Sequence, residues 1–223
     1  MKKFKSYLQE RPDINIDSMV YAPTVSENHK DRLRKGHDMF PSFNLSNIPL
    51  DPPPMNSSEE TTRELALLGE RTLSTTSEEM QMFRSLDIHF TDEYMEVFDR
   101  LHIDYDPDEL VEIASQVGRI VLEVKYHYNR PRPFQLAGHH GVELDSVATE
   151  SAQTPAYPSG HATQSMFLSL YYADRNPQHE DAIMSLANQV AESRIVSGLH
   201  YPSDNEAGRE LARYLYTNEF VKE

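Results

Sequence analysis

Lys125, Arg132, Arg194, His161, His200, Asp204 and the turn Ser159-Gly160 are the residues of this 223-residue chain whose types and spacing could do chemistry. They fall in three clusters: Lys125 followed by Arg132-Pro133, then Pro158-Ser159-Gly160-His161, then Ser193-Arg194 leading to His200 and Asp204. As patterns these read K-x6-R-P, P-S-G-H and S-R-x5-H-x3-D. Fixed cations, a glycine turn, two imidazoles and a carboxylate are what a metal-free phosphoryl-transfer site needs. The cations and free backbone N–H groups bind phosphoryl oxygens, one imidazole attacks phosphorus and the other protonates the leaving oxygen.

Such groups act together only if the chain holds them. Leu110, Ile113, Ala114, Val117, Ile120, Val121, Val124 and Tyr128 form one apolar stripe at helical spacing. Asp106-Pro107-Asp108-Glu109 is a strong helix start, with a carboxylate cap and proline at the first helical position. A core helix over 108–128 is therefore predicted, with Lys125 on its last turn beside the stripe. It ends near Asn129, because the residue before Pro131 is disfavoured in the α region. Pro131 and Pro133 then hold the chain extended around Arg132. Ser159-Gly160-His161 sits where a loop enters a helix, so N–H groups and the positive end of the helix dipole meet an anion there, and Gly160 allows close approach. On its own, Ser159 reads equally as a helix cap. Arg194 ends a helix carrying Ile183, Leu186, Ala187 and Val190, which Gly198 breaks. His200 falls in the next turn, where Asp204 is placed to accept the Nδ1–H and leave Nε2 free. Taken alone, this pair reads as a surface ion pair beside a cap.

Further helices are predicted from capping boxes at Ser57-x-x-Glu60 (to about 73), Thr76-x-x-Glu79 (to about 85) and Ser203-x-x-Glu206 (over 204–217). Others are predicted from 91 or 92 to 101, over 160–174 and over 178–197. No convincing alternating strand or repeat appears, and 135–157 reads as a long connection. Residues 1–56 are punctuated by prolines, including Pro52-Pro53-Pro54, and read as an extended arm with one short helix near 27–38. The expected fold is all-α: a single-domain helical bundle around a central buried helix, with the arm at 1–56 and the catalytic domain at 57–223.

The three clusters resemble, position for position, the signature of the phosphatidic acid phosphatase type 2 and vanadium haloperoxidase superfamily, and their flanks look most like the soluble class A nonspecific acid phosphatases. The resemblance implies that Lys125, Arg132, Ser159, Gly160 and Arg194 bind phosphate. It makes His200 the nucleophile, His161 the general acid and Asp204 the residue that orients His200. It also selects Arg132 over Arg130, which is left as a surface or supporting residue whose loss should be nearly silent. Asn205 stands where relatives usually place an apolar residue, which puts the packing of the last helix in question. The implied activity is metal-independent hydrolysis of soluble phosphate monoesters through a phosphohistidine. Alternatives are a vanadium-dependent haloperoxidase using the same anion pocket, or a non-catalytic anion-binding or structural protein. No cofactor is expected. Vanadate would enter as a phosphate-mimicking inhibitor, or as cofactor under the haloperoxidase reading.

A net charge of −15 disfavours nucleic acid and anionic membrane surfaces. Convergent cations would still bind phosphate, since salt screens distant charge over about 8–10 Å. The absence of cysteine removes disulfide and thiolate chemistry. Met1-Lys2-Lys3-Phe4-Lys5 imitates a signal-peptide start, but the polar residues after it lack the apolar stretch required. No run approaches the roughly 20 apolar residues of a spanning helix. The chain is expected to be soluble and cytoplasmic, with a small-molecule phosphate monoester as partner; a homo-oligomer is compatible with it. His139-His140 and Asp145 lack metal-site spacing and read as solvated loop or rim residues.

Overall fold

Asp106 starts the helix that the sequence marks most clearly. Its Oδ1 accepts from the N–H groups of Asp108 and Glu109, and Pro107 takes the first helical position. In the computed structural model, which describes residues 15–220, the helices in chain order are α1 (Glu27–Arg34), α2 (Glu59–Leu73), α3 (Ser77–Ile88), α4 (Phe90–Leu101), α5 (Pro107–Tyr128), α6 (Pro133–Leu136), α7 (Gly160–Arg175), α8 (Glu180–Val196) and α9 (Pro202–Tyr214). Short 3-10 turns lie between them, and Leu215–Phe220 continues α9 as a π-helical segment. Among the described residues there is no strand. The charged start at residues 1–5 and the polar stretch after it lie outside them.

Helix α5 buries the predicted stripe and ends at Asn129, which turns left-handed at φ 51° with its N–H on the Lys125 carbonyl. Beside it at the centre stands α7, whose main neighbours are α8, α9 and α5. Helix α9 can lie close on α7 because position 208 is glycine. A Cβ there would come within 2.8 Å of the Ser159 carbonyl oxygen and 3.1 Å of the Ala162 Cβ. That approach sets the turn before α9 against the start of α7. The turn itself needs Gly198, at φ 68°, to end α8 and reverse the chain.

The arm before α2 is packed against the bundle. Tyr21 N–H donates to the Asn129 carbonyl at 2.9 Å, and Asn129 Nδ2 returns a bond to Ala22 O at 2.8 Å. Phe40 is buried in the main core with its ring edge-on to Phe167. His29 of α1 bonds the Tyr126 hydroxyl of α5 at 2.7 Å.

Several boundaries differ from expectation. Ser58 caps α2 in place of Ser57, whose N–H and hydroxyl both donate to Asp17 of the arm. Helix α4 begins at Phe90, without a side-chain cap. Helix α9 begins after Tyr201, with Pro202 at its first position, so the box at Ser203 does not form and Asp204 takes the Tyr201 N–H instead. The connection 135–157 contains the end of α6 and two 3-10 turns. Asn205 is buried, and its Nδ2 donates to Ala191 O at 2.7 Å, tying α9 to α8, while its Oδ1 has no partner among the described residues. No helix among the described residues is long and apolar enough to cross a membrane.

Candidate active site

The last turn of α5 carries Lys125 inward. It is buried, and Nζ donates to the carbonyls of Pro155 (2.5 Å) and Ala156 (3.1 Å). Burial, reinforced by the nearby Arg132 charge, lowers its pKa well below the usual lysine value. Arg132 follows at the entry to α6. Its Nε donates to Thr154 O at 2.8 Å, and its Nη1 donates to Leu199 O at 2.9 Å and to His200 Nε2 at 2.8 Å. Burial draws Arg132 down to about 10, so it stays charged at neutral pH.

His200 lies in the turn that Gly198 opens. Its Nδ1 meets Asp204 Oδ2 at 3.1 Å, and the Tyr201 N–H donates to the same oxygen at 3.0 Å. Because Nε2 accepts from an arginine, the ring hydrogen must be on Nδ1, and that N–H donates to Asp204. This is the tautomer expected of a histidine that attacks through Nε2. Burial, and next the Arg132 charge, hold the His200 pKa well below its usual value, so the imidazole is neutral. Burial works against the Asp204 carboxylate, but Arg130 and the His200 bond outweigh it and hold its pKa low.

Arg130 is no surface residue. It is 2% exposed, with Nη1 on Asp204 Oδ1 at 2.7 Å and Nη2 on Glu64 Oε2 at 3.1 Å, and its guanidinium lies 3.9 Å from the centre of the Tyr201 ring. Glu64 in turn accepts from the N–H and hydroxyl of Ser203 at 2.6 and 2.9 Å. Arg130 therefore links α2 to the start of α9 and holds the carboxylate that orients His200.

At the entry to α7, Ser159 caps the helix: its hydroxyl accepts from Ala162 N–H, and its own N–H donates to Asp204 O at 2.9 Å. Gly160 faces the cavity. A Cβ there would meet Val121 at 3.5 Å and Lys125 at 3.7 Å, ordinary contacts, so a larger residue would cost cavity space more than backbone fit. His161 Nε2 donates to the backbone carbonyl of Asp87 at 2.7 Å, leaving Nδ1 as the nitrogen without a bond to that carbonyl. Burial, with the Arg194 charge, pushes its pKa down, so it is neutral in the substrate-free site.

Asp87, on the last turn of α3, was not picked out from the sequence. Its side chain accepts from Arg194 Nη1 at 2.7 Å, from the Ser151 hydroxyl at 2.5 Å and from the Thr149 hydroxyl. Burial opposes its charge, but the two hydroxyls and Arg194 prevail and lower its pKa. The signal was available. Asp87 follows Phe83 and Leu86 on a buried face, as Glu64 sits among Thr61, Leu65 and Leu68. A carboxylate on an apolar stripe is almost never fully buried without a partner.

Lys125, Arg132, Gly160, His161 and His200 line one cavity of about 160 Å³. Ser159, Asp204 and Arg194 stand behind its wall. Arg194 Nη2 is buried there without a hydrogen-bond partner among the described residues. The cavity thus joins two fixed cations, one imidazole with an orienting carboxylate and a second imidazole near the start of a helix. That set can hold a tetrahedral oxyanion against a nucleophilic nitrogen. Among the described residues no cluster of three His, Asp or Glu could hold a metal ion. His140 instead bonds Asn56 O and the Thr62 hydroxyl, and His139 is exposed.

Residues 110–217 match the model of the PAP2 superfamily. A non-specific acid phosphatase of Salmonella typhi is 32% identical over 85 residues, 38% of this chain and 34% of the relative. An acid phosphatase of Zymomonas mobilis is 33% identical over 104 residues, 44% of this chain and 35% of the relative. The chain thus matches about a third of the length of these curated relatives. Among solved structures, a bacterial vanadium-dependent iodoperoxidase superposes with a TM-score of 0.59 at 20% identity, covering 78% of this chain and 52% of that one. A transmembrane PAP2-type phosphatidylglycerolphosphate phosphatase from Bacillus subtilis gives 0.50 at 15% identity, covering 70% and 82%. The family resemblance and the all-helical fold are borne out.

Proposed function

We propose that this chain, with its PAP2-superfamily segment at 110–217, is a phosphoric monoester hydrolase that works through a phosphohistidine on His200. One observation carries the reading. On the wall of an anion-sized cavity, a neutral His200 is held by Asp204 at Nδ1 and touches Arg132 at Nε2. In the substrate-free state Arg132 occupies the lone pair. An arriving phosphoryl group inserts between them, drawing the guanidinium onto its oxygens and freeing Nε2 to attack. The P–N bond forms as the P–O bond to the alcohol breaks.

Lys125, Arg132 and the start of α7 at Gly160 hold the phosphoryl oxygens, with Arg194 and Ser159 supporting from behind. Asp204 stabilises the positive charge that develops on the His200 ring. His161 protonates the departing alkoxide through Nδ1. It is neutral without substrate, but a phosphate dianion beside it favours the protonated form. Water then attacks phosphorus, giving its proton to His161, and the P–N bond breaks. These side chains supply the charge themselves, and the proposed reaction is metal-independent.

Vanadate has the geometry of phosphate and fits the same donors, so it should compete with substrate. Hydrolysis of nitrophenyl phosphate, assayed with vanadate and separately with a chelator, tests the proposal. Competitive inhibition by vanadate and indifference to the chelator are expected. Activity abolished by the chelator and restored by a divalent ion would contradict it. Peroxide-driven bromide oxidation by the vanadate-loaded protein, without phosphatase activity, would favour the haloperoxidase reading, which calls on the same anion pocket.

A further inference from the structure

The cavity does not stop at the phosphoryl site. It continues along α5 over Leu122 and Val121 to Gly118, and there its wall includes Arg32, from α1 of the N-terminal arm. Arg32 lies outside the segment that matches the PAP2 superfamily.

Its neighbours on α1 are paired within the helix, Lys30 with Glu27 at 2.7 Å and Arg34 with Asp31 at 2.5 Å. Among the described residues, the Arg32 guanidinium has no ion-pair or hydrogen-bond partner. Its Nη2 lies 3.9 Å from where a Cβ on Gly118 would stand, and that same Cβ would come 2.9 Å from Gln164 Nε2. The missing side chain at 118 thus keeps open the space into which Arg32 reaches. The position of α1 is fixed by the bond between His29 and Tyr126.

We infer that Arg32 is a specificity-determining residue that binds a second anionic group on the alcohol part of the substrate, so that the preferred substrates are small bisphosphates or phosphate esters of anionic alcohols. The inference rests on the phosphomonoesterase reading. Gly118 and Lys125 are seven residues apart, about 10 Å along the helix axis. The Lys125 side chain leans back toward the helix N-terminus, which shortens the span between the two anion sites. A spacer of about four carbons bridges such a distance. Its methylenes would lie over Val121 and Leu122.

The experiment compares butanediol bisphosphate with butyl phosphate, using nitrophenyl phosphate as the reference for basal turnover. In the unmodified chain kcat/KM should favour the bisphosphate by about five- to tenfold at low salt, beyond the factor of about two from its two equivalent ends, and added salt should erode the preference. Arg32→Ala should remove the preference and Arg32→Glu should reverse it, both leaving nitrophenyl phosphate hydrolysis unchanged. Calorimetric binding of butane bisphosphonate and butyl phosphonate to the same three proteins reads this subsite without turnover. A chain that hydrolyses none of the esters yet loses bisphosphonate selectivity on Arg32→Ala would sink the catalytic reading and keep this one. An unchanged preference in Arg32→Ala, or a preference for butyl phosphate in the unmodified chain, would overturn the inference.

Discussion

At the scale of single residues, the arrangement turns on two arginines that differ by two positions and do different work. Arg132 faces the cavity and touches His200 Nε2; Arg130 faces away from it, between Asp204 and Glu64. The family resemblance selected Arg132, and Arg132 is the one whose Nη1 lies 2.8 Å from His200 Nε2. The same resemblance left Arg130 as dispensable because nothing local shows that two carboxylates, from α2 and α9, converge on it. Removing one partner of a buried ion network strands the others, so Arg130→Ala should destabilise the fold by about 3–5 kcal/mol. Activity should fall too, because Asp204 loses the cation that fixes it. Urea unfolding with steady-state assays below the unfolding transition checks both. A silent Arg130→Ala would mean that Asp204 is held by His200 and the Tyr201 N–H alone.

At the scale of elements, the site is a meeting of helix ends: the last turns of α3, α5 and α8, the start of α7 and the turn before α9. Gly208 governs one of these contacts. Gly208→Ala would drive a Cβ to 2.8 Å from the Ser159 carbonyl, whose own N–H is bonded to Asp204 O. Stability should fall by about 1–3 kcal/mol, the usual cost of overpacking, and kcat should fall with it as the α7 start separates from His200. Thermal denaturation and kcat on one preparation test this; loss of stability with kcat intact would uncouple the two. The elements legible in the sequence were those with strong local signals. The stripe and the Asp106-Pro107 start gave α5 to within a residue, and the Thr76 box with Glu79 forms as expected. Where two local solutions compete, as at Ser57 and Ser58 or Ser203 and Pro202, tertiary contacts chose. The docking of the arm was not legible, because it depends on hydrogen bonds to Asn129 and on Phe40 and Leu50 entering the core without a helical or alternating spacing. Asp87 and Glu64 were not picked out, because their partners Arg194 and Arg130 come from distant parts of the chain.

For the molecule as a whole, acid should be destabilising through the same histidines that serve the site. His161 and His200 are held neutral in the fold, whereas in the unfolded chain each titrates near about 6.5. Below that pH the unfolded state binds more protons, so stability is full above about 6.5 and is lost as pH falls toward the depressed folded values. Tm should decline from pH 6.5 downward, and inorganic phosphate should offset part of the loss by binding the folded site. A Tm that holds steady to pH 5, with or without phosphate, would show that the two rings are not buried neutral. The central claim, however, is that the intact chain carries the phosphoryl group on His200. It is tested by mixing the protein with nitrophenyl phosphate, quenching rapidly under alkaline conditions that preserve phosphohistidine, and locating the adduct by mass spectrometry, in parallel with His200→Ala and His161→Ala. The expected result is an acid-labile phosphate on His200 in the unmodified chain. It should persist in His161→Ala, since nitrophenolate leaves without a proton, and be absent from His200→Ala. Phosphate trapped on the His200→Ala protein, or on any other residue of the unmodified chain, would contradict the account.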